Sequence, residues 1–187
     1  VALGVSIVEC KSGYGLNHST ELKLLRIYAR LAAAGPVKLV STLLGAHVIP
    51  VEHREQRSEY VEQLIHETIP AVAREQLATC CDVFVDSAAF TIDEARRVLQ
   101  AGTHAGLAPK IHADQLSWGG GAELAAEVGA SSADPLEHAS DAGIAAMADR
   151  GVVAVSLPVA SLYLQQRGIP ARKLMAAGGI VAVAMDF

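Results

Sequence analysis

Two residues with the chemistry of metal ligands stand far apart in the chain, each at the end of a short apolar run. His112 follows Lys-Ile in KIHAD, and Asp186 ends VAVAMD. Imidazole and carboxylate groups hold a divalent metal when they converge from separate elements of the fold. A metal held there would polarise a carbonyl group and lower the pKa of a bound water toward ~7. The pair predicts metal-assisted hydrolysis, in which Asp186 accepts a proton from the water and passes it to a leaving nitrogen.

Each of these residues also has an ordinary structural interpretation when it is taken alone. A histidine that follows a strand is commonly a hydrogen-bonded core or loop residue, and an aspartate near a chain end commonly caps a helix. Two ligands are too few for a metal site, so further ligands are expected from a strand that precedes Val1. The metal prediction therefore depends on both residues lying at the same end of one sheet.

The elements that would position these residues form a repeated unit of apolar run, polar loop, amphipathic helix and glycine. A helix that begins near Thr20 is expected to end at Gly35-Pro36 with a left-handed glycine cap. A later helix is expected to kink or restart at Pro70, and Thr91 with Glu94 forms a capping-box pattern. The apolar runs predicted as strands are residues 5–10, 39–44, 82–86, 110–113, 132–136, 152–157 and 180–185.

Seven strand–helix alternations without hairpin signals predict an α/β fold with a parallel sheet. An open doubly wound sheet needs polar residues only at its switch point, whereas a (β/α)8 TIM-type barrel gathers all its strand ends at one mouth. Polar side chains follow nearly every predicted strand, which favours the barrel. These residues are Lys11 to Tyr14, His47, Asp86, His112 to Gln115, His138 and Asp186.

The two ends of the chain suggest a part of a longer protein. Residues 1–3 are expected to end a helix, and Phe187 follows directly after a predicted strand end. One βα unit before Val1 and one helix after Phe187 would complete the barrel. A sheet with two open apolar edges would expose unpaired backbone groups. We therefore expect residues 1–187 alone not to form a stable, active monomer.

Composition excludes several classes of protein. The chain has 187 residues, 51% of them hydrophobic, which indicates one packed core. Its net charge of −5 without a basic cluster argues against nucleic acid as a partner, and no apolar run is long enough for a membrane helix. Three cysteines, two of them adjacent, do not form a disulfide framework, so a reducing, cytoplasmic location is expected.

Four motifs resemble the imidazolonepropionase family of the amidohydrolase superfamily: VECKSGYGL, TLLGAHVIP, KIHADQLSWGGGAELAAEVGA and VAVAMDF. The resemblance covers essentially the whole chain, in order. It implies a (β/α)8 barrel of which residues 1–187 supply strands two to eight, with the first βα unit, the last helix and a small β-rich domain absent. It also implies a hydrolase of histidine degradation that opens the ring of 4-imidazolone-5-propanoate to give N-formimidoyl-L-glutamate.

The same resemblance assigns roles to five residues. His112 matches the metal ligand of the fifth strand and Asp186 that of the eighth, and the metal implied is one zinc or iron ion. Tyr14 and His47 match substrate-binding positions, and Gln115 matches a position against the substrate ring that serves binding and catalysis. The expected partner is this small-molecule substrate, with a homodimer left open. A cation for the carboxylate tail of the substrate is not obvious: Lys11 is one candidate, and residues before Val1 could equally supply an arginine.

One position departs from the family pattern. The family usually has a histidine in SADHLE, where this chain reads SADPLEH with Pro135. Proline offers no side-chain donor or acceptor and no backbone N–H. His138 lies three residues further along and is a possible substitute, although strand geometry would not place it at the same point. Two alternatives therefore stay open: a related superfamily hydrolase or deaminase acting on another small ring, and a catalytically impaired barrel that only binds a ligand. Without the resemblance, Tyr14 between glycines would be interpreted as a turn residue.

Overall fold

The computed structural model describes residues 4–186, and these contain seven β-strands and eight α-helices. The strands are β1 (Ile7–Lys11), β2 (Lys38–Ala46), β3 (Cys80–Val85), β4 (Ala108–Ala113), β5 (Ser132–Pro135), β6 (Val153–Ser156) and β7 (Ile180–Val183). The helices are α1 (His18–Ala34), α2 (Arg57–Gln63), α3 (Ile69–Arg74), α4 (Ile92–His104), α5 (Gly121–Glu127), α6 (Asp141–Arg150), α7 (Pro158–Tyr163) and α8 (Ala171–Ala176). The expected helix over residues 1–3 lies outside the described residues.

The strands follow one another in the sheet in chain order, from β1 to β7. The pairs β1–β2, β2–β3, β4–β5, β5–β6 and β6–β7 are all parallel. In the β4–β5 pair, His112 stands opposite Asp134 and Ala113 opposite Pro135. The predicted α/β class and parallel sheet are confirmed, and closure of the sheet into a barrel stays a prediction.

Two compact units divide the described residues. The first, unit 1, consists of residues 4–83 and 97–108, and the second, unit 2, of residues 84–96 and 109–186. The largest fully buried side chains of unit 1 are Leu25, Leu43, Tyr60, Ile69, Leu99 and Glu21. Those of unit 2 are Phe90, Ile111, Leu124, Leu136, Met147 and Leu174. Apart from Glu21, these are the apolar residues that a packed interior requires.

The predicted helix ends are confirmed in part. Thr91 and Glu94 form the expected capping box, in which the backbone N–H of each donates to the side chain of the other, at 2.9 and 3.2 Å. Helix α1 ends at Gly35, as expected, but the glycine is extended with φ −104° and ψ 161°. The expected left-handed cap is wrong because Pro36 restricts the preceding residue to extended conformations.

Helix α2 continues into a π-helical segment, Leu64–Thr68, and then into α3, which has Pro70 in its first turn. Proline lacks the N–H that would donate to the carbonyl four residues earlier, so a change of helical pitch before it is expected. The predicted kink or restart at Pro70 takes this form. The short helices α7 and α8 were not predicted.

Helix α5 packs directly on β4 because its first residue is glycine. A Cβ atom built on Gly121 would lie 2.1 Å from the Cβ of Ala113, a distance that no pair of carbon atoms tolerates. The Gly-rich sequence before α5 therefore allows the helix to pack closely on β4, the strand that carries His112.

No helix among residues 4–186 is long and apolar enough to cross a membrane.

Candidate functional site

The predicted metal ligand His112 lies in unit 2, on β4, with its side chain 13% exposed. Its Nδ1 lies 2.8 Å from the Oδ1 of Asp134, whose side chain is 6% exposed. The parallel register of β4 and β5 produces this contact because it sets the two residues side by side. The contact lacks hydrogen-bond geometry, and this oxygen has no hydrogen-bond partner among the described residues. A carboxylate this close to Nδ1 still favours the tautomer that carries its hydrogen there, which leaves the lone pair of a neutral His112 on Nε2.

This arrangement suits a metal-binding histidine. Histidines that bind metals usually donate their second ring N–H to a carboxylate or a backbone carbonyl, which fixes the tautomer and the ring orientation. The edge of the His112 ring also meets Phe84, with ring centroids 6.2 Å apart and planes at 88°. His112 therefore has a carboxylate and an aromatic ring as direct neighbours within unit 2. Sequence reasoning missed Asp134, although Asp134 directly precedes Pro135 in the SADPLEH motif.

The second predicted ligand, Asp186, lies three residues beyond the last residue of β7, and its side chain is exposed. Strands β5 and β6 separate β4 from β7 in the sheet. At roughly 4.8 Å per strand, the two strands would stand about 14 Å apart in a flat sheet, so a shared ion requires curvature. Among residues 4–186 no group of three or more His, Cys, Asp or Glu side chains could hold a metal.

Gln115 is buried in the bend that follows β4. Its neighbour Asp114 is also buried, and its carboxylate accepts backbone N–H groups of Gly119, Gly121 and Ala122, at 2.8, 3.3 and 2.9 Å. Asp114 has a positive φ of 52°, a conformation that aspartate adopts more readily than most residues. Asp114 thus fixes the loop that carries Gln115 and starts α5.

The two predicted substrate-binding residues of unit 1 lie together. Tyr14 is 80% exposed in the loop after β1, and its ring meets the ring of His47 edge to face, with centroids 5.2 Å apart. His47 follows β2, and its Nδ1 lies 3.0 Å from the carbonyl oxygen of Gly13. Because a carbonyl only accepts, Nδ1 donates, and a neutral His47 carries its lone pair on Nε2.

Lys11 was a candidate cation for the carboxylate tail of the substrate. Its ammonium group contacts the buried carboxylate of Asp82 and lies 3.8 Å from Glu9. Burying Asp82 without a cation would cost several kcal/mol, so this pair is a structural requirement of unit 1. The arrangement argues against Lys11 as a tail-binding residue.

The motif around Pro135 contains a further acidic residue, Glu137, that sequence reasoning did not single out. It is 3% exposed and accepts a hydrogen bond from Ser161 Oγ at 2.6 Å. Burial raises the pKa of this carboxyl. His138, which was considered as a substitute for the missing histidine, has its Nε2 3.0 Å from Gln166 Oε1. It is therefore held by another partner within unit 2.

Comparison with solved structures identifies the class of fold. A 5-methylcytosine deaminase from Klebsiella pneumoniae superposes with a TM-score of 0.69 at 15% identity, covering 98% of this chain and 48% of that one. An amidohydrolase from Brucella melitensis gives 0.61 at 20%, covering 92% and 43%. An adenosine deaminase from Xanthomonas campestris with bound zinc gives 0.60 at 17%, covering 87% and 40%. The chain has the α/β fold of these amidohydrolases and deaminases.

Sequence comparison is more specific. The chain is 52% identical over 181 residues to the imidazolonepropionase of Myxococcus xanthus, which covers 96% of this chain and 43% of that protein. It is 52% identical over 183 residues to the imidazolonepropionase of Geobacillus kaustophilus, covering 98% and 43%. The resemblance to imidazolonepropionases inferred from the motifs is confirmed. The chain spans less than half the length of these relatives, and no protein-family profile matches it.

Proposed function

We propose that this chain forms part of an imidazolonepropionase, which hydrolyses the cyclic amide of 4-imidazolone-5-propanoate to N-formimidoyl-L-glutamate in histidine degradation. The observation that carries the proposal is 52% identity to such enzymes across nearly all of the chain. The match to the Myxococcus xanthus enzyme extends over 181 residues, or 96% of this chain. Their side-chain chemistry, imidazole, carboxylate, phenol and amide, suits hydrolysis of a small polar ring.

His112 and Asp186 would hold the single zinc or iron ion of the enzyme, His112 through Nε2. The carboxylate of Asp134, with Oδ1 2.8 Å from Nδ1, supports this role, because metal-binding imidazoles usually have a carboxylate or carbonyl at their second ring nitrogen. A bound metal supplies a polarised carbonyl and a water of lowered pKa. Since residues 4–186 contain no group of three ligands, the proposal requires further ligands from other residues.

The remaining residues have roles that follow from their chemistry. Tyr14 and His47 would bind the polar edge of the substrate by hydrogen bonds, and Gln115 would contact the ring. Asp186 would accept a proton from the attacking water and deliver it to the ring nitrogen as the C–N bond breaks. The water oxygen ends in the carboxyl group formed from the amide carbonyl, and one of its protons ends on the released nitrogen, so atoms and protons balance.

The wider architecture belongs to the same proposal. The sheet would supply strands two to eight of a (β/α)8 barrel, completed by a first βα unit, a final helix and a small β-rich domain. The enzyme would act in the cytoplasm on a small-molecule substrate, without nucleic acid or membrane partners, and a homodimer is compatible with this. The parallel sheet in chain order and the TM-score of 0.69 to a deaminase support this architecture.

Pro135 motivates a second candidate, a barrel that binds its ligand but turns it over slowly. Pro135 is buried at the end of β5, beside the aspartate that orients His112. A side chain that cannot donate a hydrogen bond would leave charge developing in the transition state less stabilised. The curated relatives favour the active enzyme over this candidate and over a hydrolase or deaminase of another ring.

The full-length protein that contains this chain would test the proposal, by metal analysis and by the ultraviolet absorbance of the imidazolone. The proposal predicts bound metal and loss of the imidazolone signal, with one equivalent of N-formimidoyl-L-glutamate formed. Metal bound without turnover would support the impaired barrel. Turnover only of a different cyclic amide or of an amino-substituted ring would support the related hydrolase or deaminase.

A further inference from the structure

A fully buried carboxylate in unit 1 has no place in the chemistry proposed above. Glu21 lies in the first turn of α1 and is 0% exposed. Its Oε2 accepts the backbone N–H of Gly13 at 2.8 Å, and its Oε1 accepts those of Gly15 and Leu16 at 2.8 and 3.2 Å. The side chain of Glu21 thus binds three backbone N–H groups of the loop that precedes α1. Tyr14 lies within this loop.

The loop is shaped to receive this carboxylate. A Cβ atom on Gly15 would lie 2.8 Å from Glu21 Oε1, so only glycine leaves room for the hydrogen bond. Gly13 has a φ of +104°, and a Cβ atom there would lie 2.8 Å from the carbonyl oxygen of Leu44. Burying an ionised group is costly, and hydrogen bonds to charged groups are stronger than neutral ones. The glycines and Glu21 therefore hold one loop conformation together.

The same loop connects Glu21 to both substrate-binding candidates. Gly13 donates its N–H to Glu21, and its carbonyl oxygen accepts from Nδ1 of His47. Tyr14 follows directly and packs its ring against that of His47. A shift of Gly13 would therefore move the tyrosine and release the imidazole.

We infer that Glu21 is a positioning residue, which fixes the Tyr14–His47 pair for substrate binding through the backbone of residues 13–16. The inference rests on the proposed function, since it assigns Glu21 to the substrate site of that enzyme. Glu21 itself touches backbone N–H groups, so its contribution passes through the two side chains that the loop carries.

Glu21→Gln in the full-length, metal-loaded enzyme tests the inference with little change of shape. If the glutamine oxygen accepts from Gly15 and Leu16, its NH2 group faces the N–H of Gly13. Both groups are donors, so the hydrogen bond to Gly13 is lost. We expect KM for 4-imidazolone-5-propanoate to rise about 10- to 100-fold, the usual worth of a hydrogen bond to a charged group. The value of kcat should stay within about twofold, because the metal-binding residues are untouched.

Glu94→Gln is the matched control, since it removes the same charge from another carboxylate that accepts a backbone N–H, at the start of α4. It should leave KM unchanged. Hydrogen exchange gives a second readout: the amide of Gly13 should exchange faster in Glu21→Gln and at the wild-type rate in Glu94→Gln. Gly15→Ala perturbs the same loop from its other side and should also raise KM, which keeps the test available if Glu21→Gln does not fold.

Combination with Tyr14→Ala separates positioning from a general loss of stability. If Glu21 acts through the Tyr14–His47 pair, the double variant should raise KM by less than the product of the two single effects. A multiplicative effect, or an unchanged KM in Glu21→Gln, would overturn the inference. Absence of turnover in the wild-type enzyme would instead refute the proposed function.

Discussion

Asp134→Asn is the substitution that most sharply tests how His112 is held. The Oδ1 of Asp134 lies 2.8 Å from Nδ1 of His112, and both side chains are largely buried, with exposed fractions of 6% and 13%. Asparagine keeps the size of the side chain and one acceptor oxygen, but it removes the negative charge. The imidazole then becomes a less basic ligand whose orientation is less firmly fixed.

The size of the effect follows from this contact. Loss of a partner that supports a metal ligand typically reduces metal affinity 10- to 100-fold, or about 1.4 to 2.7 kcal/mol. We expect Asp134→Asn near the lower value, because its amide oxygen keeps a partial negative charge beside the ring, and Asp134→Ala near the upper value. Competition with a chromophoric chelator, on the full-length protein with zinc, measures the affinity directly and does not depend on turnover.

Asp141→Asn is the matched control. Its carboxylate, 81% exposed, pairs with Lys173 at 2.8 Å on the surface of unit 2. Removing that charge should leave metal affinity unchanged, since exposed pairs contribute little. The reasoning would be refuted if Asp134→Asn bound zinc as tightly as the wild-type protein while His112→Ala lost it, because His112 would then bind metal without support from Asp134.

Three further outcomes are expected in the full-length protein. Pro135→His should raise kcat by about 10²- to 10⁴-fold if the proline impairs catalysis, and an unchanged kcat would show that it does not. Thr91→Ala removes the hydroxyl that accepts the Glu94 N–H and should lower the free energy of unfolding in urea by about 1 kcal/mol, with activity retained. A decrease of less than about 0.3 kcal/mol would contradict the capping role. Burial raises the pKa of Glu137, so the stability gained from its protonation is complete below the ordinary carboxyl pKa and is lost as pH rises through the raised value. Glu137→Gln keeps an acceptor for Ser161, so its free energy of unfolding should exceed that of the wild type at neutral pH and lose this advantage in acid. Curves of unfolding free energy against pH that run parallel for the two proteins would disprove this.

Much of the fold was predictable because local signals agreed with it. Apolar runs, glycines after helices and the Thr91–Glu94 pattern located all seven strands and the start of α4 to within a few residues. Helices α7 and α8 were missed because each has only six residues and shows less than two turns of periodicity. The extended Gly35 was mispredicted because the effect of Pro36 on the residue before it was not weighed against the usual glycine cap.

The candidate site was predictable as residue types but not as contacts. His112 was identified from its place after an apolar run, whereas its contact with Asp134 depends on the register of β4 against β5, which no local pattern specifies. The role of Glu21 had a visible signal. It lies four residues before Leu25 on the apolar face of α1, where an acidic residue needs an explanation. Its loop contacts, however, appear only in three dimensions.

The most direct test of the account is the position of the metal itself. Crystals of the full-length protein grown with zinc, with anomalous scattering recorded at the zinc edge, locate the ion without any assumption about activity. We expect one ion, bound by His112 Nε2 at about 2.0–2.1 Å and by an Asp186 carboxylate oxygen at about 2.0–2.2 Å. An ion that contacts neither residue, or His112 and Asp186 directed to different regions of the molecule, would contradict it.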